Sequence, residues 1–190
     1  SISIEKYIKI EFAEPLTRSD FLKYSCPLTL DLNTANKYLR LTEENRRVTR
    51  SKVVQSYPDH PHRFDVFYQV LCREGVSGRC YWEVEWSGRV HVSVSYKGVS
   101  RKGAGENCGF GRNDQSWSLV CSTSGFSFWH NNKQTELTPV TSRIGVYVNH
   151  RAGTLSFYSV SHTMTLLYRT TFTQPLYPGF WVGSGSVKLL

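Results

Sequence analysis

The side chains able to do chemistry are plentiful in this chain, but their spacing does not suit the chemistry they could do. Six histidines, His60, His62, His91, His130, His150 and His162, have the acid-base and metal-binding range of imidazole. They fall at turns or on polar strand faces. Five cysteines, Cys26, Cys72, Cys80, Cys108 and Cys121, make an odd number without a C-x-x-C pair, so zinc-type spacing is missing. Cys72 and Cys80 flank one turn and could meet across a hairpin; reading them as small buried hydrophobes is the preferred account. The glycine pairs Gly103-Ala104-Gly105 and Gly109-Phe110-Gly111 lack the third glycine and the following helix that a phosphate cradle needs. No H-E-x-x-H, G-x-S-x-G or phosphate-loop pattern occurs, and no acid sits in an obviously apolar setting that would perturb it. The expectation is a non-enzyme with no metal and no cofactor.

Binding chemistry is better represented. Tyr, Trp and Arg are the residue types that dominate recognition surfaces. They gather, with His and Lys, in segments that read as loops. The expected partner-binding residues are His62, Phe64, Tyr68, Lys97, Arg101, Lys102, Trp117, Trp129, His130, Phe180 and Trp181. Trp82 and Trp86 are instead read as core.

These loops need a rigid frame, and the strand pattern supplies one. Cys80, Trp82, Val84 and Trp86 alternate with Tyr81, Glu83 and Glu85, a strict period of two. A strand with two tryptophans on one face must be covered by something large. Further strands are expected at Leu28–Leu30, Tyr38–Leu41, Arg46–Val53, Val70–Cys72, Arg89–Tyr96, Cys108–Gly111, Trp117–Cys121, Phe126–His130, Arg143–Asn149, Thr154–Val160, Met164–Thr171, Leu176–Trp181 and Ser186–Leu189. Ser87-Gly88 reads as the tight turn between Arg79–Trp86 and Arg89–Tyr96. Thr17-Arg18-Ser19-Asp20 has helix N-cap spacing, with Phe21, Leu22 and Tyr24 available to pack a short helix on the domain. Residues 1–12 alternate, as either a strand or an extended lead-in from an upstream domain. The class predicted is all-β, an antiparallel sandwich with one short N-terminal helical segment.

At 190 residues the chain suits a single domain. No apolar run approaches the roughly 18 residues of a membrane span, and SISIEKYIKIEF is too charged and alternating for a secretory signal. The missing initiator Met suggests a fragment of a longer protein. The formal charge of +8 permits an acidic partner, a phosphate-bearing ligand or a membrane surface. The basic run Arg46–Lys52 alternates like a strand and reads as a solvated face.

The wording of several segments resembles one family. LDLNTANKYLRLTEENRRVT is similar to the PRY segment. RFDVFYQVLCREGVSGRCYWEVEW is similar to the start of the SPRY segment, and SWSL, FWHNN, RIGVYVNHRAGTLSFYSV and FTQPLYPGFWVG follow in order. Asn149 stands where the family usually has Asp. The resemblance covers about residues 25–190, with PRY over about 25–68 and SPRY over about 69–190, after a lead-in of 1–24. It implies a bent sandwich of two antiparallel sheets that binds a protein target, without catalysis, through loops at one end: about 50–68, 97–107, 114–117, 129–136 and 180–184. It implies neither nucleic acid nor a transmembrane segment, and a domain that is monomeric alone and oligomeric through upstream regions. The nearest wording is that of fish tripartite-motif ubiquitin ligases, NACHT-type innate receptors and stonefish-type pore-forming toxins. The first two imply a cytoplasmic, substrate- or ligand-selecting domain. The third implies a secreted one used in assembly or target-surface binding. Some butyrophilins of the family take a phosphorylated ligand, a further alternative.

Overall fold

The computed structural model describes residues 14–138 and 141–190. The predicted lead-in over 1–12 lies outside these residues. A short helix, α1 (Arg18–Leu22), precedes eleven strands: β1 (Leu39–Thr42), β2 (Arg47–Arg50), β3 (Gln69–Leu71), β4 (Arg79–Ser95), β5 (Ser116–Ser122), β6 (Gly125–His130), β7 (Lys133–Leu137), β8 (Arg143–Asn149), β9 (Thr154–Val160), β10 (Met164–Thr171) and β11 (Tyr177–Leu189). All strand pairings are antiparallel and form one hydrogen-bonded network, as the all-β reading expects.

The network folds into two layers because two strands belong to both. The first half of β4 pairs with β8, its second half with β5, and β11 runs beside it from Val84 to Ser95, across the bend. Sheet I is therefore β10-β9-β8-β4-β11-β2-β1 and sheet II is β7-β6-β5-β4-β11-β3. Ser87-Gly88 is not a hairpin turn. It is the bend inside a continuous 17-residue strand. The two separate strands expected over 176–189 are likewise one 13-residue strand. Glycine looks locally like a turn; here its positive φ lets a strand fold sharply without leaving its partner.

Between the sheets lies the main core. Trp82, Val84, Val90, Val92 and Val94 of β4 share it with Phe180 and Leu189 of β11 beside them and with Phe128 and Phe157, all buried. The outer face of sheet I is also covered. Tyr81, Tyr147 and Tyr158 point outward and are closed over by Phe21 of α1, whose ring lies 4.8–5.3 Å from theirs. Burying Phe21 is worth roughly 1.5–3 kcal/mol. Thr17 caps α1 in a reciprocal capping box with Asp20, as the spacing predicts. Arg18 then makes a two-toothed pair with Glu83, at 2.8 and 2.9 Å. Glu83 is a buried acid the sequence reading did not find.

Two further strand readings differ from the structure, and the cysteines pair in a way not expected. Cys108–Gly111 is no strand; a 3-10 turn (Glu106–Cys108) stands there. Leu28–Leu30 makes only a single bridge, from Leu30 to Cys72. Cys72 and Cys80 do not face each other, because β3 belongs to sheet II while the start of β4 belongs to sheet I. Cys80 is disulfide-bonded to Cys26 instead, and Cys72 is free and buried. Asn131 and Asn132 turn the β6–β7 hairpin with φ of 51° and 60°, a left-handed pair that asparagine tolerates.

Candidate functional site

Sheet II has a solvent-side face, and period-two alternation decides what it shows. Val90, Val92 and Val94 point inward, so Arg89 and His91 point out. On β11, Phe180 and Val182 point inward, so Trp181 points out. On β6, Phe128 points inward, so Ser127 and Trp129 point out. These side chains meet across the strands. The His91 and Trp181 rings stack with centroids 4.3 Å apart.

The segment 105–115 folds over part of this face and leaves a groove of about 330 Å³. Its walls include Phe67, Phe110, Trp129 and Trp181, with Arg89, Arg112 and Gln134 at the edges. The segment is held firmly. Gln69 is buried; its amide donates to the Cys108 carbonyl at 2.7 Å and accepts from the Phe110 N–H at 2.8 Å. The Gly111 N–H donates to Ser116 Oγ, and the Asn113 amide donates to the Glu106 and Gly109 carbonyls. Gly111 has φ +83°, and a Cβ there would lie 2.8 Å from Trp129 Cβ. Only glycine brings the backbone this close to the sheet. Arg112, the next residue, is thereby laid over the Trp129 ring, 5.1 Å from its centroid. Arg89 lies 5.8 Å from the centroid of Trp181. Both are cation–π distances.

The groove's electrostatics follow from this placement. Burial against Trp181, with Arg112 and Arg89 nearby, lowers the pKa of His91 to about 3. Its imidazole is neutral at physiological pH. The two exposed guanidiniums therefore carry the groove's formal charge, and none of the groove-lining side chains is acidic.

Of the residues expected to bind a partner, Trp129 and Trp181 line this groove. Three are corrections. Phe64, Trp117 and Phe180 are buried and cannot present a surface to a partner. Phe64 packs edge-on against Phe110 beneath the loops. Phe180 follows the inward parity of β11. Trp117 is inward on β5, with the His130 ring stacked on it at 4.5 Å and Tyr96 at its edge. His130 is half-buried there, its Nδ1 hydrogen-bonded to the Ser116 carbonyl at 2.8 Å.

The others lie elsewhere. His62, Lys97 and Arg101 line a separate recess beside Tyr177 and Cys72. Arg101 donates to the carbonyls of Val99, His62 and Lys97, and Lys102 to those of His60 and Arg63. Both tie the 97–102 segment to the 58–65 segment. Tyr68 is half-buried under Arg50, whose guanidinium carbon lies 3.6 Å from the ring centroid. Missing from the expected set are Arg89, His91 and Arg112. The first two could have been found from the alternation opposite Val90 and Val92. Arg112 could not, because a non-periodic loop delivers it.

Comparison with known proteins fits this architecture. The model of the PRY domain, described as SPRY-associated, matches residues 28–76, and that of the SPRY domain matches 79–189. Stonustoxin subunit beta of Synanceia horrida is 40% identical over 186 residues, covering 91% of this chain and 26% of that protein. Tripartite motif-containing protein 16 of Mus musculus is 39% identical over 189 residues, covering 96% of this chain and 34% of that protein. The chain thus spans about a quarter to a third of the length of these relatives. The crystal structure of the TRIM65 PSpry domain superposes with a TM-score of 0.83 at 29% identity, covering 91% of this chain and 94% of that one. With both domain models matched in order on a bent two-layer sheet, this chain belongs to the PRY-SPRY family.

Proposed function

We propose that this chain is a non-catalytic recognition module that takes a segment of a target protein in the groove on the outer face of sheet II. The observation that carries this reading is the half-exposed pair Trp129 and Trp181, two large rings that line the groove, the first braced by the 105–115 loop and the second stacked on His91. Preorganised aromatic anchors beside arginines are the usual centre of a binding surface. Within a longer protein the module is the target-selecting end. Its relatedness to tripartite-motif proteins supports a place in a cytoplasmic, innate-immune ubiquitin ligase or related receptor, where an upstream domain supplies any ligase activity. Oligomers then form through those upstream regions.

A second reading, a secreted toxin domain used in assembly or target-surface binding, is favoured by one observation. The Cys26–Cys80 disulfide suits an oxidising compartment. Sequencing the transcript upstream of Ser1 separates the two. A RING with zinc spacing and heptads supports the ligase; a pore-forming module supports the toxin.

The groove itself is tested by selecting phage-displayed random peptides on the domain. Two variants serve as counter-screens, Trp129→Ala and Val120→Arg, the latter filling the groove from the outward face of β5. Peptides that bind the parent and lose both variants, with unchanged melting, support the reading. Peptides indifferent to both variants, or no peptides, overturn it.

A further inference from the structure

Several basic side chains around the domain are already paired with acids. Arg18, Arg47, Arg143, Arg169 and Lys188 pair with carboxylates. Arg89 and Arg112 differ. Among the described residues, neither guanidinium has a carboxylate or a hydrogen-bonded carbonyl; each has only a tryptophan face. A guanidinium that lies over a ring keeps its in-plane N–H groups free, and those form the fork that matches a carboxylate. The neutral His91 between them adds no charge, and no acid lines the groove to neutralise the pair.

Of the other polar side chains in the groove two are already bonded, whereas among the described residues neither the His91 ring nor the Gln134 amide has a hydrogen-bond partner. Gln69 uses both ends of its amide on the 105–115 segment. Ser127 accepts from Trp129 Nε1 at 3.0 Å. An occupant therefore meets two cations without carboxylate partners, aromatic walls, and two neutral polar groups, His91 and Gln134.

We propose, resting on the recognition reading above, that the groove selects an acidic peptide segment in which an Asp or Glu stands beside an aromatic or aliphatic side chain. The carboxylate takes the in-plane N–H groups of Arg112 or Arg89, and the apolar neighbour packs against Trp129, Trp181 and Phe67. The groove's volume is at the small end of ligand sites, enough for about two side chains. A nucleic acid needs a continuous basic track, which two arginines separated by aromatic walls do not make.

The test uses the same peptide selection, read for composition, with one enriched peptide synthesised for calorimetry. Expected are Asp or Glu at a fixed offset from an apolar residue, and about tenfold weaker binding to Arg112→Glu or Arg89→Glu. Changing the peptide's acid to its amide should cost a similar factor, and the two losses should not multiply. Selection on the R89E/R112E double variant should return basic peptides. Groove-dependent peptides that are neutral or basic overturn the acidic preference and leave the recognition reading intact. So does saturable binding of inorganic pyrophosphate that displaces nothing but is lost in R112E, which would make the cations a phosphoanion site. Failure to obtain any groove-dependent peptide overturns both.

Discussion

Gly88 and Gly185 are paired across β4 and β11, at the point where both strands pass from sheet I to sheet II. Their φ angles are +79° and +71°, and a Cβ on either would collide with the backbone of the facing strand. The bend that makes one network into two layers thus rests on two residues without side chains.

Substituting Gly185 or Gly88 by Ala is therefore expected to destabilise the domain by about 1–3 kcal/mol, from left-handed strain and backbone collision together. Urea unfolding measures it. A loss below a few tenths of a kcal/mol would show that the bend relaxes around a Cβ.

Trp117→Ala is expected to act on stability and not directly on recognition. The ring is buried between His130 and Tyr96, and removing it should cost about 3–5 kcal/mol. Trp129→Ala, by contrast, should leave melting nearly unchanged and weaken binding. Thermal melts of the two variants side by side decide whether the burial assignments hold.

Acid should destabilise the domain in two stages. His91 has a folded pKa of about 3 against an ordinary 6.5, so between those values the unfolded chain holds a proton that the folded one does not. Stability falls as pH drops through that window. Glu83 adds a lower stage. Burial pushes its carboxyl up, but hydrogen bonds from Arg18 and Tyr81 and the charges of Arg18 and Arg143 outweigh it, leaving the pKa below 4.5. Its contribution is complete above the ordinary carboxylate value and is lost as pH falls from there through the folded value. Melting temperature against pH should lose its slope between pH 6.5 and 5 in His91→Gln, and flatten below pH 4.5 in Glu83→Gln. Unchanged slopes in both would place the acid sensitivity elsewhere.

The cysteines should separate by reactivity. The disulfide closes a loop across 54 residues, worth about 4 kcal/mol in the chain-entropy account. Reduction, or Cys26→Ser, should lower the melting temperature by several degrees. Cys72, Cys108 and Cys121 are buried, and burial raises their thiol pKa values. They should resist thiol reagents until unfolding. Rapid labelling of any of the three in the folded state would contradict the packing.

Sequence alone determined the class of this protein and most of its strands. An inward strand face must recur at every second residue, and Ile144, Val146 and Val148, then Leu155 and Phe157, do so plainly. The Thr17–Asp20 cap was equally legible, because capping is a contact between residues three apart. Only the tertiary structure decided that β4 and β11 are continuous. A glycine at positive φ looks the same in a turn and in a bend, and the difference lies in a hydrogen-bonded partner distant in sequence. The same holds for the groove. Aromatic and basic residue types marked Trp129 and Trp181 but also Phe64, Trp117 and Phe180, since residue type does not say which face a sheet turns to solvent. That choice follows from packing two layers together, which buries one parity of each strand, and from a glycine-hinged loop that sets Arg112 over Trp129.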